Sequence, residues 1–363
     1  LTPKDGGSVG ETPASIGDRV VISEETGEDG GRKNIYIKDS AGNIYQTEFP
    51  YKLDKTQPVI DLSQMTVENG TKDLWNWIIG KKSMSIKIPA GDITDAPSGI
   101  EEVTYETAPD SGTGQSGTLH AKEGYYEIAL NAEFSGTIRL VAKDKAGNTT
   151  QVSLTAAGGK VIAEDYAPIV NFTLPNTPQP NADGWYSEAF DIAVTVTDDQ
   201  DSGNHITSGG IAEIKWKDGE SGPEQTIAGL PGTAPVYSKT FTIPVDTDGT
   251  HTYYVQATDN AGNESGWQTV TVRLDTGSPE FSGDVSATNR TQEGADITFT
   301  PSEGGKAYWI VSDNGTAPSA QEVVAGAQGG AGKGGVRDVT GSTPDTFTVT
   351  GLTPGEKHTV YVV

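Results

Sequence analysis

The chain has 363 residues, 50 of them acidic and 25 basic, for a formal net charge of −25, with 46 glycines, 20 prolines and no cysteine. The length exceeds what one small core needs, the charge repels nucleic acid and anionic membrane surfaces, and the lack of thiols excludes disulfides and Cys-ligated zinc or iron–sulfur centres. Glycine and proline at this density interrupt helices before they can pack, which favours an all-β fold. No stretch reaches the roughly 20 apolar residues that span a bilayer, so membrane insertion within the chain is not expected. The start, Leu1-Thr2-Pro3-Lys4-Asp5, is unlike a signal peptide, so the sequence is expected to be either cytosolic or an excised fragment; the fragment is the preferred reading, and any targeting or anchoring signal would then lie outside it.

In chain order, an alternating strand at Ile35-Tyr36-Ile37 leads into Asp39-Ser40-Ala41-Gly42-Asn43 and then into the joint Leu53-Asp54-Lys55-Thr56-Gln57-Pro58. A strand at Ser83–Ile88 follows, then Asp95-Ala96-Pro97-Ser98-Gly99-Ile100 before Val103-Thr104-Tyr105, and a strand Ile138–Ala142 ahead of Asp144-Lys145-Ala146-Gly147-Asn148. The pattern returns as Glu164-Asp165-Tyr166-Ala167-Pro168, a strand with Ile192, Val194 and Val196 on one face, and Ser208-Gly209-Gly210-Ile211 before Trp216. Tyr253–Ala257, Asp259-Asn260-Ala261-Gly262-Asn263 and the joint Leu274-Asp275-Thr276-Gly277-Ser278-Pro279 complete the third copy. Ala-Gly-Asn tolerates positive φ and Asp accepts from turn amides, so the five-residue signature predicts a β-hairpin. Proline stiffens each joint. The three signatures share a period of about 110 residues, the size of one two-sheet sandwich of about 100 residues.

This spacing predicts tandem β-sandwiches arranged end to end: a partial module over 1–54, complete modules over 55–163 and 164–276, and a last module over 277–363 that stops before its final strand. Both end modules are expected to expose strand edges. Tyr105 and Trp216, one period apart, are expected to fill the sandwich centres.

The Asp-x-Ala-Gly-Asn hairpin, the joint ending in Pro and the Ser-Gly-Ile entry resemble the tandem bacterial immunoglobulin-like repeats of large surface and secreted proteins, over roughly residues 1–280. Gly351-Leu352-Thr353-Pro354-Gly355 before Val360–Val363 is similar to a fibronectin type III module, with His358 where that family commonly has its corner tyrosine. The resemblance implies an extracellular, bacterial cell-surface location.

Catalytic patterns are not found. His120, His205, His251 and His358 lack helical zinc spacing and read as surface residues. Gly326–Gly335 departs from a phosphate loop at Ala327 and Gly334 and reads as a flexible glycine-rich loop. Gly114-Gln115-Ser116-Gly117-Thr118 departs from a nucleophile elbow. No enzyme is expected here.

Two candidate binding chemistries remain. Aspartates recur at hairpins (Asp39, Asp144, Asp259) and at joints (Asp54, Asp165, Asp275), where a calcium ion would bridge loops and relieve charge; Asp198, Asp199 and Asp201 form a denser acidic run with the same chemistry. The alternative for these residues is that hairpin aspartates bond their own turns and the run is a solvated loop. Trp75, Trp77, Trp185 and Tyr186 are candidates for stacking on glycans, against the alternative of covering a sandwich edge or a contact between modules.

The function expected is a non-catalytic spacer or stalk that displays another part of a surface protein, as a monomeric array, with calcium as the candidate cofactor. An adhesive role would bring a host or neighbouring-cell glycoprotein or glycan as partner. The competing reading is a set of carbohydrate-binding accessory modules of a secreted polysaccharide-degrading enzyme.

Overall fold

The computed structural model describes residues 8–17, 20–198, 208–230, 232–313, 316–328 and 333–363. Those residues form 27 β-strands and one α-helix of nine residues. The chain divides into two compact units, Leu1–Leu274 and Asp275–Val363.

Within the first unit, Ser8–Gly10, Gly31–Lys38 and Ile44–Tyr51 make a three-stranded antiparallel sheet. Its contribution to a core is small: Ile35 is buried, whereas Ile44 and Tyr45 on the outer strand are 50% and 67% exposed.

The next sandwich is organised by two long strands, Trp77–Pro89 and Phe134–Asp144. Trp77–Pro89 pairs with Thr66–Leu74 and Tyr125–Ala129, and Phe134–Asp144 with Ile100–Pro109 and Thr149–Ser153. Val161–Glu164 closes the structure between them, parallel to the first and antiparallel to the second. Met84, Ile86, Ile88, Ile138 and Leu140 fill the centre. Each is essentially inaccessible to water, and burying such a side chain contributes about 1.5–3 kcal/mol.

The third group is a clearer two-layer sandwich. Ile169–Thr173, Phe190–Thr197 and Ser238–Val245 form one sheet; Trp185–Tyr186, Gln268–Leu274, Gly249–Asp259, Ile211–Asp218 and Gln225–Thr226 form the other. Ile192, Val194 and Val196 point inward as their alternation requires, against Ile211, Ile214, Val255 and Val272. Tyr105 and Trp216 are only partly buried and pack against their cores, whose fully inaccessible residues are aliphatic, with Tyr186, Phe190 and Tyr253 also buried in the second.

All three Asp-x-Ala-Gly-Asn segments form the same turn. The N–H of Asp39, Asp144 and Asp259 donates to the carbonyl of Asn43, Asn148 and Asn263 at 3.0–3.1 Å, and the intervening glycine donates back to the Asp carbonyl. Gly42, Gly147 and Gly262 have φ of 94°, 96° and 88°, which explains the residue type.

The second unit pairs two three-stranded sheets, Ser286–Thr288, Gly294–Phe299 and Asp345–Thr350 against Gly334–Val339, Gly305–Ser312 and Thr359–Val362. Phe299, Phe347 and Trp309 form its aromatic centre, with the Trp309 and Phe347 rings stacked at 4.0 Å. The glycine-rich stretch begins differently from the loop expected: Gly326 lies in the helix Ala320–Gln328, where Val323 and Ala327 are buried. Among the described residues no helix is long and apolar enough to cross a membrane.

Candidate cation sites and the junction between sandwiches

Two groups of three carboxylates occupy equivalent places in successive sandwiches, Asp54 with Asp95 and Asp144, and Glu164 with Asp198 and Asp259. In each group one oxygen per residue lies within 4.8 Å of the others. Two oxygens on opposite sides of a calcium ion, each bound at 2.3–2.6 Å, are about 5 Å apart, so the spacing fits one ion.

The hairpin supplies one member of each group and holds it rigidly. Asp144 Oδ1 accepts from the N–H groups of Ala146 and Asn148 at 2.8 Å, and Asn148 Nδ2 donates to its Oδ2 at 2.7 Å. Asp259 repeats this with Asn263, at 2.8 and 2.9 Å. A strand end supplies the second: Asp95 follows Ile93–Thr94, and Asp198 follows Phe190–Thr197. The joint supplies the third. Asp54 accepts from Thr56 N–H at 2.9 Å and from Ser98 N–H at 3.2 Å. Glu164 accepts from Tyr166 N–H at 2.8 Å and Gly209 N–H at 3.3 Å, and Asn263 Nδ2 donates to it at 3.3 Å.

The second group is the more demanding electrostatically. Glu164 and Asp198 are fully buried and Asp259 is 2% exposed, whereas Asp54 and Asp95 are half-buried. Burial pushes the Glu164 carboxyl up to about 8, reinforced by the negative charges of Asp259 and Asp198. Burial also raises Asp259, outweighing its hydrogen bonds from Asn263. Three buried carboxylates side by side require protons or a cation. The donor set is hard oxygen throughout, which suits calcium.

The aspartates singled out from the sequence separate into distinct roles. Asp54 and Asp144 come together, joined by Asp95, and Asp198 and Asp259 come together, joined by Glu164; neither Asp95 nor Glu164 was expected. Asp165 is outside the group, accepting from Lys82 N–H at 3.1 Å. Asp39 accepts from Ala41 and Asn43 of its own exposed turn, and Asp275 accepts from Gly277. Asp199 and Asp201, like His205, lie outside the described residues. Strand parity explains the substitution of Glu164 for Asp165. Adjacent residues of an extended strand face opposite ways, and Glu164 shares its face with buried Ile162.

The aromatic candidates are also redistributed. Trp75 and Trp77 are not two positions on one strand face: Trp75 and Asn76, at φ 55° and 65°, are the turn between Thr66–Leu74 and Trp77–Pro89, closed by the pair Leu74 and Trp77. Their rings meet edge to face at 6.1 Å and pack on a cluster of Ile79, Ile162 and Ala261. Trp75 Nε1 donates to Gly232 O at 3.0 Å across the boundary between sandwiches. Tyr186 is 4% exposed with its ring 4.0 Å from Phe190, so it has no face for a sugar. Trp185 is half-buried, with the Arg273 guanidinium 5.9 Å from its ring.

Two histidines read as surface residues are instead held on both nitrogens. His251 bridges Asp218 and the Thr247 carbonyl, and His358 bridges Asp313 and the Thr353 backbone. His358 thereby ties the loop at Thr353 to Asp313, just past strand Gly305–Ser312.

No protein-family model matches the chain, and no curated protein matches it. Solved structures do. The tetra-tandem repeat in the extending region of a large adhesion protein is 16% identical, covers 89% of this chain and 74% of its own, and has a TM-score of 0.34. The fibronectin(III)-like modules of Clostridium thermocellum CbhA are 17% identical over 58% of this chain and 94% of theirs, with a TM-score of 0.26. Domains from titin are 13% identical over 82% and 91%, with a TM-score of 0.27. The architecture itself is carried by the strand pairing: the chain is all-β, with successive β-sandwiches along its length.

The raised Glu164 carboxyl fixes a sign. Its folded pKa of about 8 lies above the ordinary 4.5, so its contribution is full below 4.5 and is lost as pH rises toward 8. In chelator, the melting temperature of the chain is expected to fall over that window, and Glu164→Gln to flatten the fall. Scanning calorimetry at stepped pH reads both.

Proposed function

We propose that this chain is a mechanical spacer within a larger extracellular bacterial surface protein, in which successive sandwiches are locked at their junctions and the carboxylate groups there take calcium. The observation that carries the proposal is the junction between the sandwiches of residues 59–164 and 169–274. No loose linker separates them: Val161–Glu164 is a strand of one sandwich, and its last side chain hydrogen-bonds Gly209 and Asn263 of the next. Ile79 and Ile162 are fully buried there against Ala261. A Cβ on Gly209 would approach Ile79 Cγ2 to 2.7 Å, so glycine permits this closeness.

Trp75 adds a directional contact. A tryptophan in left-handed backbone costs about 1–2 kcal/mol relative to its ordinary conformation; here the turn projects the indole into the neighbouring sandwich, where burial and the bond to Gly232 offset that cost. Calcium, held by Glu164, Asp198 and Asp259 in one group and by the half-buried Asp54 and Asp95 with the buried Asp144 in the other, would supply positive charge where the acidic chain clusters its carboxyl groups.

Residual dipolar couplings on the full chain should fit one alignment tensor for the sandwiches 59–164 and 169–274, and two for Trp75→Ala. A single tensor in that variant contradicts the lock. Calcium titration calorimetry should show binding that Glu164→Gln weakens at least tenfold and Asp165→Ala leaves intact; absence of heat with the parent chain removes the cation from the proposal. For the spacer role itself, stretching single molecules should give separate unfolding events, each releasing roughly 100 residues or about 350 Å of contour. One event encompassing the whole chain is incompatible with sandwiches acting in series.

A further inference from the structure

We propose that His251 is a proton-gated latch: as the imidazolium it ties the turn at Asp246–Asp248 to the end of strand Ile211–Asp218, and on losing its proton it releases that end of the sandwich. Nδ1 lies 2.8 Å from Asp218 Oδ2, and Nε2 lies 2.8 Å from the Thr247 carbonyl oxygen. Both partners only accept hydrogen bonds, whereas a neutral imidazole carries one N–H. Both contacts are therefore satisfied only in the charged form. On deprotonation one ring nitrogen turns a lone pair toward an acceptor, and one of the two contacts is lost.

The surroundings favour the charged form. The side chain is 15% exposed, and the ring stacks on Tyr253 at 5.9 Å and 14°. Strand Ile211–Asp218 presents Asp218, and the turn presents Asp246 and Asp248; on strand Gln268–Leu274 the residue paired with His251 is Val272. Burial works against the charge, but the bonds to Asp218 and Thr247 and the negative charges of Asp218 and Asp246 outweigh it and raise the pKa above 6.5. A raised histidine contributes stability that is full below its ordinary pKa and lost as pH rises through the folded value.

The position gives the latch its effect. His251 follows the turn that joins Ser238–Val245 in one sheet to Gly249–Asp259 in the other, so it pins the connection between layers. It lies at the end of the sandwich opposite Asp259, where Gly249 pairs with Leu274. His358 is an internal contrast. Its Nδ1 meets Asp313 at 2.9 Å, but its Nε2 is 3.0 Å from both the carbonyl oxygen and the N–H of Thr353. The charged ring donates to the carbonyl and the neutral ring accepts from the N–H, so His358 keeps its contacts in either state.

The test is hydrogen exchange on the full chain from pH 6 to 9, corrected for the intrinsic base-catalysed rate, with the two imidazoles followed by NMR. Protection at residues 246–251 is expected to drop at least tenfold as His251 titrates, with no matching drop at residues 351–358 as His358 titrates. His251→Gln should make protection at residues 246–251 independent of pH. Asp218→Asn should move the midpoint down by about one pH unit, the effect of removing an adjacent opposite charge. Protection that stays constant while His251 is seen to lose its proton overturns the latch, as does an unmoved midpoint in Asp218→Asn.

Discussion

One short strand carries the organisation of the first unit. Val161–Glu164 is buried at every position, and its period of two divides its side chains between two environments. Val161 and Ala163 complete the core of the sandwich they close, and Ile162 with Glu164 faces the next sandwich. A segment committed on both faces cannot serve as a swivel. Its apolar residue and its acid settle the two properties of the junction together, close contact through Ile162 and a buried cluster of carboxyl groups through Glu164.

The turn chemistry fixes one acid of each cluster in place, although at Asp259 burial still outweighs its hydrogen bonds. The hairpin aspartate needs its carboxylate to satisfy turn amides, which is why the Asp and Asn recur at the same places in all three hairpins. Only where a joint acid and a strand-end acid arrive beside it does the turn residue become part of a cluster of three carboxyl groups. Asp39 has the turn without these neighbours among the described residues, and its carboxyl is simply held low by the Asn43 side chain and backbone. The same local structure therefore has two roles, decided by what packs against it. The longer Glu164 side chain and its complete burial make the second junction the stricter of the two.

The histidines follow similar logic. Each bridges a strand-end aspartate and a backbone group in a loop, and the difference in proton dependence comes from a single feature, whether the backbone offers a donor as well as an acceptor.

The sequence by itself determined the all-β class, the recurring hairpins and the inward faces of strands such as Asp191–Thr197, because glycine geometry and two-residue alternation act over a few neighbouring residues. Tertiary structure decided which acids meet, where the tryptophans point and that His251 is enclosed, because each depends on partners distant in the chain. Asp95 and Glu164 carry no local mark that separates them from other acids. Trp75 and Trp77 read as one strand face until the turn between them takes positive φ, and the reason for that turn, the Gly232 carbonyl, lies more than 150 residues away.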